Sequence, residues 1–164
     1  MEAGKSAKQP AAWSRYFRRL SRPFLSASEK KRLSEVIGEQ ERRTTGEIHV
    51  HIVERAGSAD IALLAQEKFL ELGLQKTDSR NAVLLLISHL DHRFAILGDE
   101  GIHVKAGQKL WEHAKEVLLS HFKERRYAQG IEACVREIGQ ELARHFPKDA
   151  GDGLNQIPND VTES

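Results

Sequence analysis

A chain of 164 residues, 40% hydrophobic and 30% charged, has the size and mix of one ordinary globular domain that can bury a core. Its formal net charge of +1 provides no global field to gather nucleic acid or acidic substrates. The single cysteine, Cys134, excludes an internal disulfide framework and a thiolate metal cluster.

No apolar run approaches the roughly eighteen residues that span a bilayer; the longest goes from Ala82 to Ile87. The first residues lack the apolar core of a signal peptide, so a cytoplasmic location with no transmembrane segment is the default expectation. Residues 1–12, rich in Ala, Lys, Ser and Gly, read as disordered. Trp13, Tyr16, Phe17 and Leu20 then interleave with Arg15, Arg18, Arg19 and Arg22, the spacing of a short basic amphipathic helix. Residues 13–22 therefore read as a contact for a protein partner or an anionic membrane surface, or as a cap that packs its aromatics on its own domain. Nucleic-acid binding would rest on these arginines and aromatics alone, because the remainder carries no recognised module.

The folded part is expected over residues 23–147. Ser26 with Glu29 three residues on is a capping box, and the helix it opens carries Leu33, Val36 and Ile37 on one face to about Arg43. Thr45 and Gly46 break it. Ile48, Val50 and Ile52 alternate with Glu47, His49 and His51, the period of a half-buried strand with a solvent-leaning polar face. Gly57 and Ser58 turn the chain into a helix striped by Ile61, Leu64, Ala65, Phe69 and Leu72, capped by Gly73. Asn81 to Ser88 is a strand apolar on both faces. His89 to His92 is a tight corner, Arg93 to Leu97 the next strand, and the residues from Gly98 to Gly101 end it. Leu110, Ala114, Val117, Leu118 and His121 space out a third helix. Tyr127, Ile131, Cys134, Val135, Ile138, Leu142 and His145 space out a fourth, within which Cys134 reads as a small buried thiol. Residues 148–164, with Asp149, Asp152, Asp160 and Glu163 among Gly and Pro, read as a disordered, solvated acidic tail. The strand–helix–strand unit requires a right-handed parallel crossover, and the short corner after it an antiparallel hairpin. The fold class is thus α/β, a small mixed sheet with helices on both faces.

These residues resemble the TPM domain family. The run from Arg43 to Ile48 (Arg-Thr-Thr-Gly-Glu-Ile) is similar to the family's opening strand motif. The run from Arg80 to Leu85 resembles its Asn-Gly-Val-Leu-Leu strand, with Ala82 in place of Gly. Asp91, His92 and Arg93 match its Asp-x-Arg turn, and Phe122, Tyr127, Gly130 and Ile131 its closing signature. Gly98-Asp99-Glu100-Gly101-Ile102 departs from the usual Gly-Tyr-Gly-Leu-Glu. The resemblance covers residues 23–146 and is to short bacterial members without signal peptide or anchor. Other members include a chloroplast lumen protein linked to photosystem repair and an animal receptor-accessory protein. Some have been described as acid phosphatases and some as calcium binders. The resemblance therefore implies a binding or accessory module with divalent-cation binding, the alternative being a weak metal-dependent acid phosphatase.

The topology places the end of the third strand beside the starts of the first two. Glu47, Asp78, Asn81, Asp99 and Glu100 should then meet at one sheet edge as hard oxygen ligands for calcium or magnesium. Arg80 would pair with them or hold a phosphate bidentately. The alternative is a solvated loop cluster that satisfies backbone ends, with Asn81 and Asp99 as turn residues. His49 and His51, two apart on one strand face, could share a zinc or copper ion, although no third ligand is evident. His103 and His113 read as surface residues. No nucleophile elbow, Walker loop, dinucleotide glycine fingerprint or reactive-cysteine setting is present, so the catalytic residues are unassigned.

Overall fold

The computed structural model describes residues 23–151, 153 and 156–164. The basic aromatic segment 13–22 lies outside them.

The first helix, α1 (Ala27–Glu41), starts where the capping box requires: the Glu29 amide donates to Ser26 Oγ and the Ser26 amide to the Glu29 carboxylate. Strand β1 (Glu47–Val53) leads to α2 (Ile61–Glu71), whose N-terminus is capped by Asp60. Gly73, at φ +73°, reverses the chain into a short 3₁₀ turn (Leu74–Lys76), a conformation that favours glycine. Strands β2 (Ala82–Ser88) and β3 (Arg93–Gly98) follow. Helix α3 (Glu100–Lys123) is interrupted at Gly107, and α4 (Tyr127–His145) packs along it. A two-residue strand, β4 (Thr162–Glu163), ends the order.

The sheet runs β3-β2-β1-β4. β1 and β2 are parallel from Glu47↔Ala82 to Val53↔Ser88, and β2 and β3 antiparallel from Val83↔Gly98 to Ser88↔Arg93. The mixed α/β architecture is therefore the one the sequence implies, and β2 is buried on both faces.

The two faces are covered unequally. Ile48, Val50 and Ile52 of β1 and Val83, Leu85 and Ile87 of β2 pack against α1, α3 and α4 in one large apolar core. The opposite face holds a smaller cluster, in which Leu84 and Leu86 meet Ala65 and Phe69 of α2 and Leu74. Cys134 is wholly buried in the large core, and burial pushes its thiol up to about 12. It is the inert small side chain expected.

Two expectations are corrected. The polar face of β1 is not solvent-leaning: Glu47, His49 and His51 are 3%, 5% and 4% exposed, because α2 and residues 156–164 close over it. Nor are those residues a free solvated tail. β4 pairs in parallel with His51 and Ile52, Ile157 packs on the smaller cluster and Val161 on the larger. The Ser34 hydroxyl donates to the Asn159 carbonyl. Composition hid this docking, because two apolar residues among polar ones leave no periodic signal.

Candidate functional site

The expected sheet edge exists, but its chemistry divides in two. Arg80, held at φ +49°, grips Asp99 with both prongs: Nε to Oδ2 at 2.7 Å and Nη2 to Oδ1 at 2.9 Å. Asp99 Oδ1 also accepts from the Glu100 amide at 2.8 Å, so Asp99 is the N-cap of α3. Both carboxylate oxygens are thereby committed. Gly101 lets α3 approach this point, since a Cβ there would collide with the Ser79 and Arg80 carbonyls.

Glu47 belongs to the other group. By strand alternation it faces the smaller cluster, where its carboxylate accepts from the Gln156 amide. Asp78 is exposed and receives a 3.4 Å bond from the Gln156 side chain; Glu100 is also exposed. Asn81 gives its Nδ2 hydrogen to Thr45 and leaves Oδ1 as a buried acceptor without a partner among the described residues. Among the described residues no three His, Cys, Asp or Glu side chains are grouped to hold a metal ion. The five oxygen donors, so arranged, do not fit a calcium or magnesium ion.

Beneath residues 156–164 lie two pairs of buried titratable groups. Glu41, 1% exposed, accepts from the Ile48 amide at 2.7 Å. Burial first, then the neighbouring Glu47, pushes its carboxyl up to about 9. Burial also raises Glu47, while bonds from Gln156, Glu41 and Ile157 pull it back. Burial thus disfavours two charges here, and the pair holds a proton well above the ordinary carboxylate range. Two residues further on, His49 Nε2 and His51 Nδ1 both meet Thr162 Oγ1, at 2.8 and 2.6 Å. His51 Nε2 reaches Ser164 Oγ at 2.8 Å. Burial lowers both imidazoles, His49 to about 4, and each is neutral at pH 7. Hydroxyls thus meet three of the four ring nitrogens, while His49 Nδ1 is buried with no partner among the described residues. His103 accepts from the Trp111 indole and His113 pairs with Glu137, both at exposed positions as expected.

At the opposite end of the sheet, sequence reasoning marks the Asp-x-Arg turn but misses what it fastens and the cavity beside it. At the β2–β3 corner, Asp91 Oδ2 accepts from the Ser88 hydroxyl at 2.8 Å and from the Ala56 and Gly57 amides at 2.6 and 3.1 Å. These bonds, Ser88 foremost, hold its carboxyl at about 2. Arg93 donates to the Gly57 and Ala59 carbonyls. The Asp-x-Arg turn thus fastens the loop after β1 to the corner. No histidine bonds to Ser88, and so acidic a carboxyl is a poor general base.

Beside this knot is a cavity of about 190 Å³ at the carboxyl end of β2, lined by Phe24, His89, Phe94, Leu119, Phe122 and Tyr127 among others. Phe24 stacks on His89 at 5.0 Å, and Phe122 meets Tyr127 edge-on at 5.2 Å. Lys123 and His92, both exposed, and Arg93 complete the wall. The rule that α/β sheets bind ligands beyond the carboxyl ends of their parallel strands would have pointed here.

Fold and site define a three-layer α/β/α domain with no complete acid–base–nucleophile set among the described residues. The chain belongs to the TPM domain family, whose model it matches over residues 21–141. It is similar to the BA42 protein of the psychrophilic bacterium Bizionia argentinensis, at 28% identity, covering 88% of this chain and 98% of that one with a TM-score of 0.82. The N-terminal domain of a P. gingivalis protein shares the fold at 19% identity and TM-score 0.64, covering 77% of this chain and 83% of that one. So does the N-terminal domain of the cg2496 protein of Corynebacterium glutamicum, at 12% and 0.61, covering 80% and 81%. No curated protein matches. Among the described residues no helix is long and apolar enough to cross a membrane.

Proposed function

We propose that this TPM-domain chain is a binding or accessory module whose ligand seat is the aromatic pocket at the carboxyl end of β2. The pocket itself carries the reading: about 190 Å³, walled by aromatics from α3, α4, β3 and the segment before α1, with cationic side chains at its mouth. That combination suits a small flat apolar body bearing one anionic group. Divalent-cation binding through Glu47, Asp78, Asn81, Asp99 and Glu100 would require Arg80 to release Asp99. A metal-dependent acid phosphatase would require the same opening. A cytoplasmic location, and a partner or anionic membrane contact through residues 13–22, belong to this proposal.

Phenyl phosphate tests binding and hydrolysis together. Titrated into the labelled protein, it should shift the resonances of Phe24, Phe94, Phe122 and Tyr127 saturably and release no phenol. If those resonances stay put, the pocket is not a ligand seat. Phenol release with added calcium or magnesium, abolished by Asp99→Ala, would replace the binding module with the phosphatase.

A further inference from the structure

We propose that the outer edge of β1 is a docking site for an extended peptide of a partner protein, and that residues 156–164 are the chain's own occupant of it. The edge of a sheet offers unpaired N–H and C=O groups to any extended segment, and peptides that add there are read by pockets at alternate positions. Only alternate residues of β1 turn their backbone groups to this edge; β4 pairs there at His51 and Ile52, and the Ile48 amide is taken by Glu41, so the seat centres on Val50 to Ile52. The Ser164 amide extends this seat with a 3.0 Å bond to the Ile52 carbonyl.

The edge also reads side chains. Thr162 Oγ1 sits between His49 Nε2 and His51 Nδ1, and Ser164 Oγ meets the other nitrogen of His51. A neutral imidazole has one N–H and one lone pair, so a hydroxyl, which both donates and accepts, is the side chain that can satisfy either nitrogen. Glu163 points the other way and meets Lys30 at 2.8 Å. Val161, just before, packs on the large core. The fitting segment is therefore apolar–hydroxyl–acidic–hydroxyl, read in parallel with β1.

The resident occupant lies at the surface. None of residues 156–164 is buried, whereas the histidines beneath them are. Its ion pair is 31% and 42% exposed and so contributes little. Attachment to the same chain gives it an effective concentration on the order of millimolar. A rival segment that reproduces these contacts and is present above its own dissociation constant by more than that tether advantage displaces it.

The test uses a fluorescent nonapeptide with the sequence of residues 156–164 against the full chain, wild type and Thr162→Val/Ser164→Pro. The variant loses the hydroxyl contacts and the Ser164 amide bond but keeps the acceptor edge intact. The peptide should bind the variant at least about tenfold more tightly than wild type, since the tethered competitor is weakened. A peptide with valine at the threonine position should lose that affinity. Equal affinity for both proteins overturns the proposal, as does absence of saturable binding to a variant with a wild-type circular dichroism spectrum. Should the double variant unfold, Ser164→Pro alone serves. Undiminished binding by the valine peptide removes the histidine readout. Concentration-dependent dimers of the wild type would assign the edge to a second copy instead.

Discussion

One strand shows the contrast on which this molecule turns. On one face of β1, Ile48, Val50 and Ile52 enter an apolar core under three helices; on the other, Glu47, His49 and His51 are almost as deeply buried under α2 and residues 156–164. The first face is stabilised by removing hydrocarbon from water, which does not depend on pH. The second buries ionisable groups, which is tolerable only while they stay neutral or bonded. Equal burial thus conceals unequal robustness: the apolar face is permanent, and the polar face is conditional.

The largest expected effect tests the permanent face. Ile48→Ala should lose about 2–5 kcal/mol in urea denaturation, by the same amount at pH 5 and pH 8. If that loss varied with pH, the two faces would not be independent.

Glu41→Gln sharpens the conditional face. Burial raises the Glu41 carboxyl from its ordinary 4.5 to about 9 in the folded chain, so between these values the folded state holds the proton more tightly. Wild-type stability must then fall as pH rises through that window. Glutamine mimics the protonated acid, accepting from Ile48 and donating to Glu47. The variant should therefore match wild type near pH 4.5 and exceed it at pH 8 in thermal melts.

His49 has the opposite sign. Its folded value of about 4 lies below the ordinary 6.5, so the unfolded chain binds the proton first and stability falls as pH drops from 6.5 to 4. His51 and Asp160 are the charges that face it, the first lowering and the second raising its value. His49→Gln should flatten the acid limb and leave the alkaline limb alone. An unchanged acid limb would mean that the imidazole is not held neutral.

The smallest effect concerns the Lys30–Glu163 pair, both members partly exposed. Lys30→Ala should change stability by no more than about 1 kcal/mol, and added salt should erase the difference. A larger loss would mean that residues 156–164 are held more firmly than their exposure implies.

Most of the architecture was legible because it is local. The capping box at Ser26, the alternation from Ile48 to Ile52, the apolar run of β2 and the heptad-like spacing of α4 each fit within one element. The parallel crossover and the hairpin follow from the lengths between them. The candidate site was legible only in outline. Topology correctly placed Asp99 near Arg80 and Asn81, but not that Arg80 would occupy both oxygens of Asp99, nor that Glu47 would turn to Glu41. Arg80 and Asp99 are 19 residues apart, and pairing among several nearby charges depends on which side chains reach.

The sequence by itself determined the elements, their order and the buried β2, because periodicity and capping act over a few residues; the TPM family was legible from the resemblance of its short motifs, matched over residues 21–141. Only the tertiary structure decided which polar groups are buried together: Glu41 with Glu47, the two histidines with Thr162, and the aromatics around one pocket. Those associations join residues up to 113 positions apart, and no local pattern records where distant segments meet when their apolar surfaces close.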